Sequence, residues 1–149
     1  MKVLHLSSSD NLGGAAIAAL RIHSSLNSKL ESKVFVSRKN GSVPGVFSYE
    51  SEFMRFYSYI KNGIGSKLTE LQITDNKSLH SFSCLPSKLD RYINNSPYDL
   101  IHLHWIQGEM ISIEAIGRIK KPIVWTLHDN WAFSGSEHLP KNMFDYRYK

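Results

Sequence analysis

The sequence predicts an α/β fold in which an open parallel sheet is flanked by helices. Three observations lead there. Residues 2–6 (KVLHL), 33–37 (KVFVS), 99–104 (DLIHLH) and 123–127 (IVWTL) are short apolar runs of the kind that form strands buried on both faces. Longer stretches with apolar residues at helical spacing lie between them. The first two runs are joined through a glycine turn and a helix within about 36 residues, a βαβ opening that requires parallel strands.

Taken in order, Val3, Leu4 and Leu6 suit a first buried strand, and residues 7–14 are loop chemistry, rich in Ser, Asp, Asn and Gly. Residues 15–26 predict a helix with Ala15, Ala19, Ile22 and Leu26 on its apolar stripe and Arg21 and Ser25 off it. The second strand, 33–37, leads into a loop over 38–45. Residues 52–68 predict a second helix, in which Phe53, Phe56, Tyr57, Ile60, Ile64 and Leu68 share a stripe beside Arg55, Lys61 and Lys67. Gly63 and Gly65 are expected to break it near its end. Residues 69–83 have no clear period and read as loop. Pro86 can open a short third helix with Leu89, Tyr92 and Ile93 on its apolar side, which Asn94-Asn95-Ser96-Pro97 stops. The third strand, 99–104, is followed by a loop through Gly108. Ile113, Ile116 and Ile119 then suggest a helix over residues 112–120. Pro122 precedes the fourth strand, and beyond His128 the chain reads as irregular.

The chain's 149 residues amount to one domain, and 42% apolar with 21% charged residues is a globular rather than a disordered composition. The single cysteine, Cys84, excludes an internal disulfide framework or a cysteine-based zinc site and fits a reducing compartment. The first apolar run is too short for a signal peptide, and no run of about 20 apolar residues offers a membrane span. A cytoplasmic protein is expected. The net charge of +5 permits attraction to phosphates, anionic lipids or nucleic acid. With no Lys/Arg block, RNA-binding signature or zinc-finger spacing, nucleic acid is not an expected partner.

In such sheets ligands bind outside the carboxyl ends of the strands. Three polar clusters fall there. Asn11-Leu12-Gly13-Gly14 gives a glycine turn before a helix, where backbone N–H groups suit a phosphate; a plain tight turn is the alternative. It is neither a G-x-G-x-x-G nor a Walker loop. His102 and His104 lie two apart on one strand face and precede Trp105. With His128, Asp129 and His138 they could imitate the metal site of a hydrolase, although a buried strand makes His102 a hydrogen-bonded core residue instead. The third cluster is residues 125–135, where a strand delivers His128, Asp129 and Trp131 to a cleft edge. There His128 could donate a hydrogen bond or move a proton, Asp129 orient it or bind a hydroxyl, and Trp131 stack on a sugar.

Residues 7–23 (SSSDNLGGAAIAALRIH) and 99–140 (DLIHLHWIQGEMISIEAIGRIKKPIVWTLHDNWAFSGSEHLP) together carry a resemblance. The chain resembles the N-terminal, acceptor-side domain of bacterial family 4 retaining glycosyltransferases of the GT-B fold, of the exopolysaccharide, colanic-acid and O-antigen type. The resemblance implies a Rossmann-like domain spanning 1–149 that is incomplete, with the nucleotide-sugar-binding domain and its spaced glutamate pair absent from the chain. It implies transfer of a hexosyl residue from a UDP- or GDP-linked nucleotide sugar to a glycan or lipid-linked acceptor in cell-surface polysaccharide synthesis. It places Gly13 and Gly14 at the donor diphosphate and His128, as the catalytic residue, beside the transferred sugar. Asn11, His104, Trp105, Asp129 and Trp131 would line the acceptor side of the cleft. No cofactor and no metal are expected, and a lipid-linked acceptor suggests peripheral contact with the inner face of the plasma membrane. A fragment of this kind is expected to be inactive alone. The alternatives are a non-catalytic module that binds an acceptor or partner, and the metal-dependent hydrolase.

Overall fold

The computed structural model describes residues 1–142. Its elements are β1 (Lys2–Ser9), α1 (Gly13–Leu26), β2 (Glu31–Arg38), β3 (Val46–Phe47), α2 (Glu52–Glu70), α3 (Leu89–Asn95), β4 (Leu100–Leu103), α4 (Ile113–Gly117), β5 (Ile123–Trp125) and α5 (Trp131–Ser134). Five strands form one sheet in the order β3-β2-β1-β4-β5, and every pairing is parallel. The α/β, Rossmann-like class is therefore as the sequence predicts. Among the described residues, no helix is long and apolar enough to cross a membrane.

The two faces of the sheet differ in chemistry. Leu4 and Leu6 of β1 pair with Ile101 and Leu103 of β4 and bury one face beneath Ile93, Ile106, Met110 and Ile111. This is the main apolar core, closed by α3 and α4. On the opposite face, Val34 and Val36 pack with Leu20 of α1. Beside them lie His5, Ser7, His102 and His104, all buried.

Several elements depart from expectation. β3 adds a fifth strand; at two residues it is too short to show a period, and its pairing with Val34 and Phe35 defines it. Residues 7–9 continue β1, because Ser7 pairs with Val36 and Ser9 with Arg38, and the Ser7 hydroxyl is satisfied by the Ser9 carbonyl at 2.9 Å. Helix α1 starts at Gly13 and buries Ala16, Ala19 and His23 instead of the expected Ala15, Ile22 and Leu26. The polar partners of His23 account for that rotation: its ring bonds Ser32 Oγ at 2.8 Å and the Pro44 carbonyl at 3.1 Å. The helix after Ile113 closes at Gly117, capped by Ser112 Oγ accepting from Ala115 N, and α5 occupies a stretch expected to be irregular.

Helix α2 departs most. It runs unbroken through Gly63 and Gly65 to Glu70, and its aromatic stripe faces outward. Phe53 is 71% and Phe56 61% exposed, whereas Lys61 and Gly65 face the protein and are buried. Gly65 is where the helix meets Glu109: a Cβ there would lie 2.4 Å from Glu109 Cγ. Nearby, Asn62 Nδ2 donates to the Gly108 carbonyl at 2.9 Å.

Candidate functional site

The carboxyl ends of β1, β4 and β5 form one rim. After β1, the carboxylate of Asp10 accepts from the backbone N–H groups of Asn40 at 2.9 Å and Gly41 at 2.8 Å, tying this loop to the one after β2. Asn11 Oδ1 accepts from Asn40 Nδ2 at 3.0 Å and from Ser9 Oγ. Gly13 has φ +79°, which glycine alone adopts freely. Gly14 has no such conformation, and a Cβ there would meet nothing within 4 Å. Neither strain nor packing within the chain requires glycine at 14, so the exposed backbone leaves room for a close approach from outside.

At the ends of β4 and β5 the imidazoles form a line. His5 Nδ1 lies 3.2 Å from His104 Nε2, and His104 Nδ1 lies 3.3 Å from His128 Nε2. His102 Nε2 meets Thr126 Oγ1 at 2.8 Å. Burial pushes His5 and His104 down to about 3, each lowered further by neighbouring imidazoles, and it also lowers His102 and His128. All four are neutral at pH 7. The Nδ1 of His128, a partly exposed residue, makes no hydrogen bond within the described chain.

Beside this line, Asp129 is a hub. Its Oδ2 accepts from Trp105 Nε1 at 3.0 Å and from His138 Nδ1 at 2.5 Å, and its Oδ1 accepts from Trp131 N at 3.0 Å. Trp131 is buried, and its indole donates to the Ser81 carbonyl at 2.7 Å. It therefore forms part of the wall, with no free face on which a sugar could stack. His138 Nε2 completes the network on Ser81 Oγ at 2.9 Å.

The structure thus brings His104 to His128, and Trp105 to Asp129, Trp131 and His138. Asn11, Gly13 and Gly14 share the rim with them, joined through the hydrogen bond from Ser8 N to the Trp105 carbonyl at 2.7 Å. The five residues weighed as a hydrolase metal site divide: Asp129 and His138 pair with each other, while His102 and His104 cluster with His5. Sequence reasoning missed His5. The available signal was the parallel between LHL in residues 4–6 and LIHLH in 100–104, two runs that pair in register.

It also missed Glu109, and Lys61, expected among the cations flanking the α2 stripe, turns inward to share with it a cavity of about 350 Å³ between α2, α3 and the sheet. Phe35, Tyr49, Met54 and Leu89 make its lining largely apolar. Burial lowers the Lys61 pKa, opposed by the charge of Glu109. Glu109 also lines a second cavity of about 180 Å³ beside Trp105, Arg38 and His80. Its Oε2 is held by the Leu85 N–H at 2.8 Å.

Comparison with known proteins finds no match among protein-family profiles, curated proteins or solved structures.

Proposed function

We propose that this chain is the acceptor-side domain of a retaining glycosyltransferase that moves a hexosyl residue from a UDP- or GDP-linked sugar to a glycan or lipid-linked acceptor. The carrying observation is that the glycine loop after β1 and His128 after β5 share the carboxyl rim of one parallel sheet. The resemblance of residues 7–23 and 99–140 supports the same reading. Backbone N–H groups at Gly13 and Gly14 and the positive end of α1 would face the donor diphosphate and stabilise the charge that develops on it. The C1–O bond to that phosphate breaks while the acceptor oxygen bonds C1 on the same face, and the acceptor proton passes to the leaving phosphate. His128, held at Nε2 by His104, keeps Nδ1 for a hydroxyl of the transferred sugar. A neutral, positioned imidazole suits that task, because it orients the sugar for transfer without placing a positive charge beside C1.

The apolar cavity favours a lipid-linked acceptor. It is bordered by the exposed aromatic helix α2, and Glu109 connects it with the smaller cavity beside Trp105. A cytoplasmic location, peripheral to the inner face of the plasma membrane, follows from such an acceptor.

The test is His128→Ala in protein carrying both domains of the proposed enzyme. The expected outcome is a loss of kcat by about 10²-fold or more, the scale of one positioned polar catalyst, with an unchanged melting temperature. Near-normal turnover would remove His128 from the mechanism. Absence of transfer from any nucleotide sugar by the parent protein, with acceptor binding retained, would favour the non-catalytic module.

A further inference from the structure

Three imidazoles are gathered on the α1 face of the sheet with no carboxylate among them. His5 and His102 are register partners on β1 and β4, and His104, two residues on, shares their face. One ring nitrogen from each lies within 4.8 Å of the others. Two nitrogens at 2.0–2.1 Å from a tetrahedral zinc lie about 3.3–3.4 Å apart. His5 Nδ1 and His104 Nε2, at 3.2 Å, are already near that spacing.

A purely hydrogen-bonded core accounts for the His5–His104 contact but not for the rest. His5 is 0% exposed, and its Nε2 has no hydrogen-bond partner. With Nδ1 turned to an ion, Nε2 carries the proton, and this buried, unmet atom marks the place of a water that would hold the ring from outside. The other two rings are each held by a second nitrogen, His102 on Thr126 and His104 on His128, as the outer contacts of ligating imidazoles are. His102, at 8% exposed, is the most open of the three rings, and its register partner Val124 on the edge strand β5 is exposed.

We propose that His5, His102 and His104 bind one divalent ion of borderline softness, zinc above all, leaving a fourth position for water. An all-nitrogen donor set disfavours magnesium and calcium, which take oxygen ligands. The ion would clamp β1 to β4. With Nε2 of His104 on the metal, its Nδ1 carries the proton and must donate to His128 Nε2, which fixes the tautomer of His128. That last consequence rests on the transferase reading, whereas the site itself does not.

The experiment titrates Co²⁺ into tag-free, metal-stripped protein of residues 1–149, followed by visible absorption and by ¹⁵N–¹H spectra of the imidazoles. The expected result is uptake of one ion with the absorption of a tetrahedral site and no thiolate band from Cys84. One equivalent of Zn²⁺ should displace it, and the resonances of His5, His102 and His104 should move together. His5→Asn and His102→Asn should each abolish the uptake, and His138→Asn should preserve it. Should the first two variants fail to fold, the imidazole spectra of the parent chain decide alone. No stoichiometric uptake, or shifts confined to His80, His128 and His138, would overturn the proposal. Neither outcome involves a sugar donor, so it leaves the transferase assay to be judged separately.

Discussion

Asp90 is a carboxylate placed in an apolar setting: it is 4% exposed on α3, beside the main core. Its Oδ2 accepts from Arg118 Nε at 2.7 Å. The hydrogen bond from Arg118 holds its pKa below the ordinary carboxylate value of 3.8. A depressed carboxylate stabilises the fold above its unfolded pKa, and that contribution is lost as pH falls through the folded value. Arg118→Ala is therefore expected to lower the neutral-pH Tm by roughly a few degrees, with the gap to the parent chain closing below about pH 3.8. Melting curves across pH 2.5–7.5 check it; a gap independent of pH would mean that Arg118 acts through packing alone. Single residues of this kind differ in how far sequence exposes them. Gly13, Gly14 and His128 are legible because a polar residue at the end of an apolar run is a local pattern. The burial of Trp131 is not, because its indole's partner, the Ser81 carbonyl, lies 50 residues away in a stretch without periodicity.

A helix pattern gives the presence of an element more readily than its orientation. In α2 the apolar stripe predicts the helix and its start, yet that stripe faces solvent, and Met54, Ser58, Lys61 and Gly65 face the protein. The ordinary expectation that an apolar stripe packs inward fails because α2 meets the protein through Gly65 against Glu109 and Asn62 against Gly108. The two glycines in this helix then have opposite consequences. Gly63 is exposed, and a Cβ there meets nothing within 4 Å. Gly63→Ala should raise stability by about 0.5–1 kcal/mol, because alanine costs less backbone entropy in a helix. Gly65→Ala would put its Cβ 2.4 Å from Glu109 Cγ, on a side chain that is itself buried and bonded to Leu85 N. It should lower stability by roughly 1–3 kcal/mol, the usual cost of overpacking. Urea unfolding of both variants separates the cases, and a stabilised Gly65→Ala would show that α2 is not fixed at this contact.

At the scale of the whole molecule, the parallel sheet and its rim are legible because four apolar runs separated by helical stretches leave few topologies open. The pairing order, the fifth strand and the His5 cluster need the register itself. The surface follows the same division. Phe53, Phe56, Tyr59 and Ile64 together form an outward apolar face that a solitary soluble domain would not keep bare. Of the three cations expected to flank it, Lys61 turns inward beneath α2 and Arg55 is shared with Glu52 at 3.6 Å, leaving Lys67 and the overall charge of +5 to attract an anionic surface. Apolar insertion should then supply most of the adhesion, and electrostatics the preference among lipids. In vesicle flotation at low salt, the chain is expected to rise with vesicles containing anionic lipid more than with neutral ones. Raising the salt to about 0.5 M should narrow that preference, because the Debye length falls below 5 Å. Replacing Phe53, Phe56 and Tyr59 together by Ser should cut binding to both kinds of vesicle by at least about tenfold, since each aromatic contributes more than 1 kcal/mol when buried. These side chains face away from the core, so the triple variant should melt as the parent does. Equal flotation of parent and variant would show that α2 is not the membrane contact, and equal binding to neutral and anionic vesicles would remove the electrostatic part of the argument.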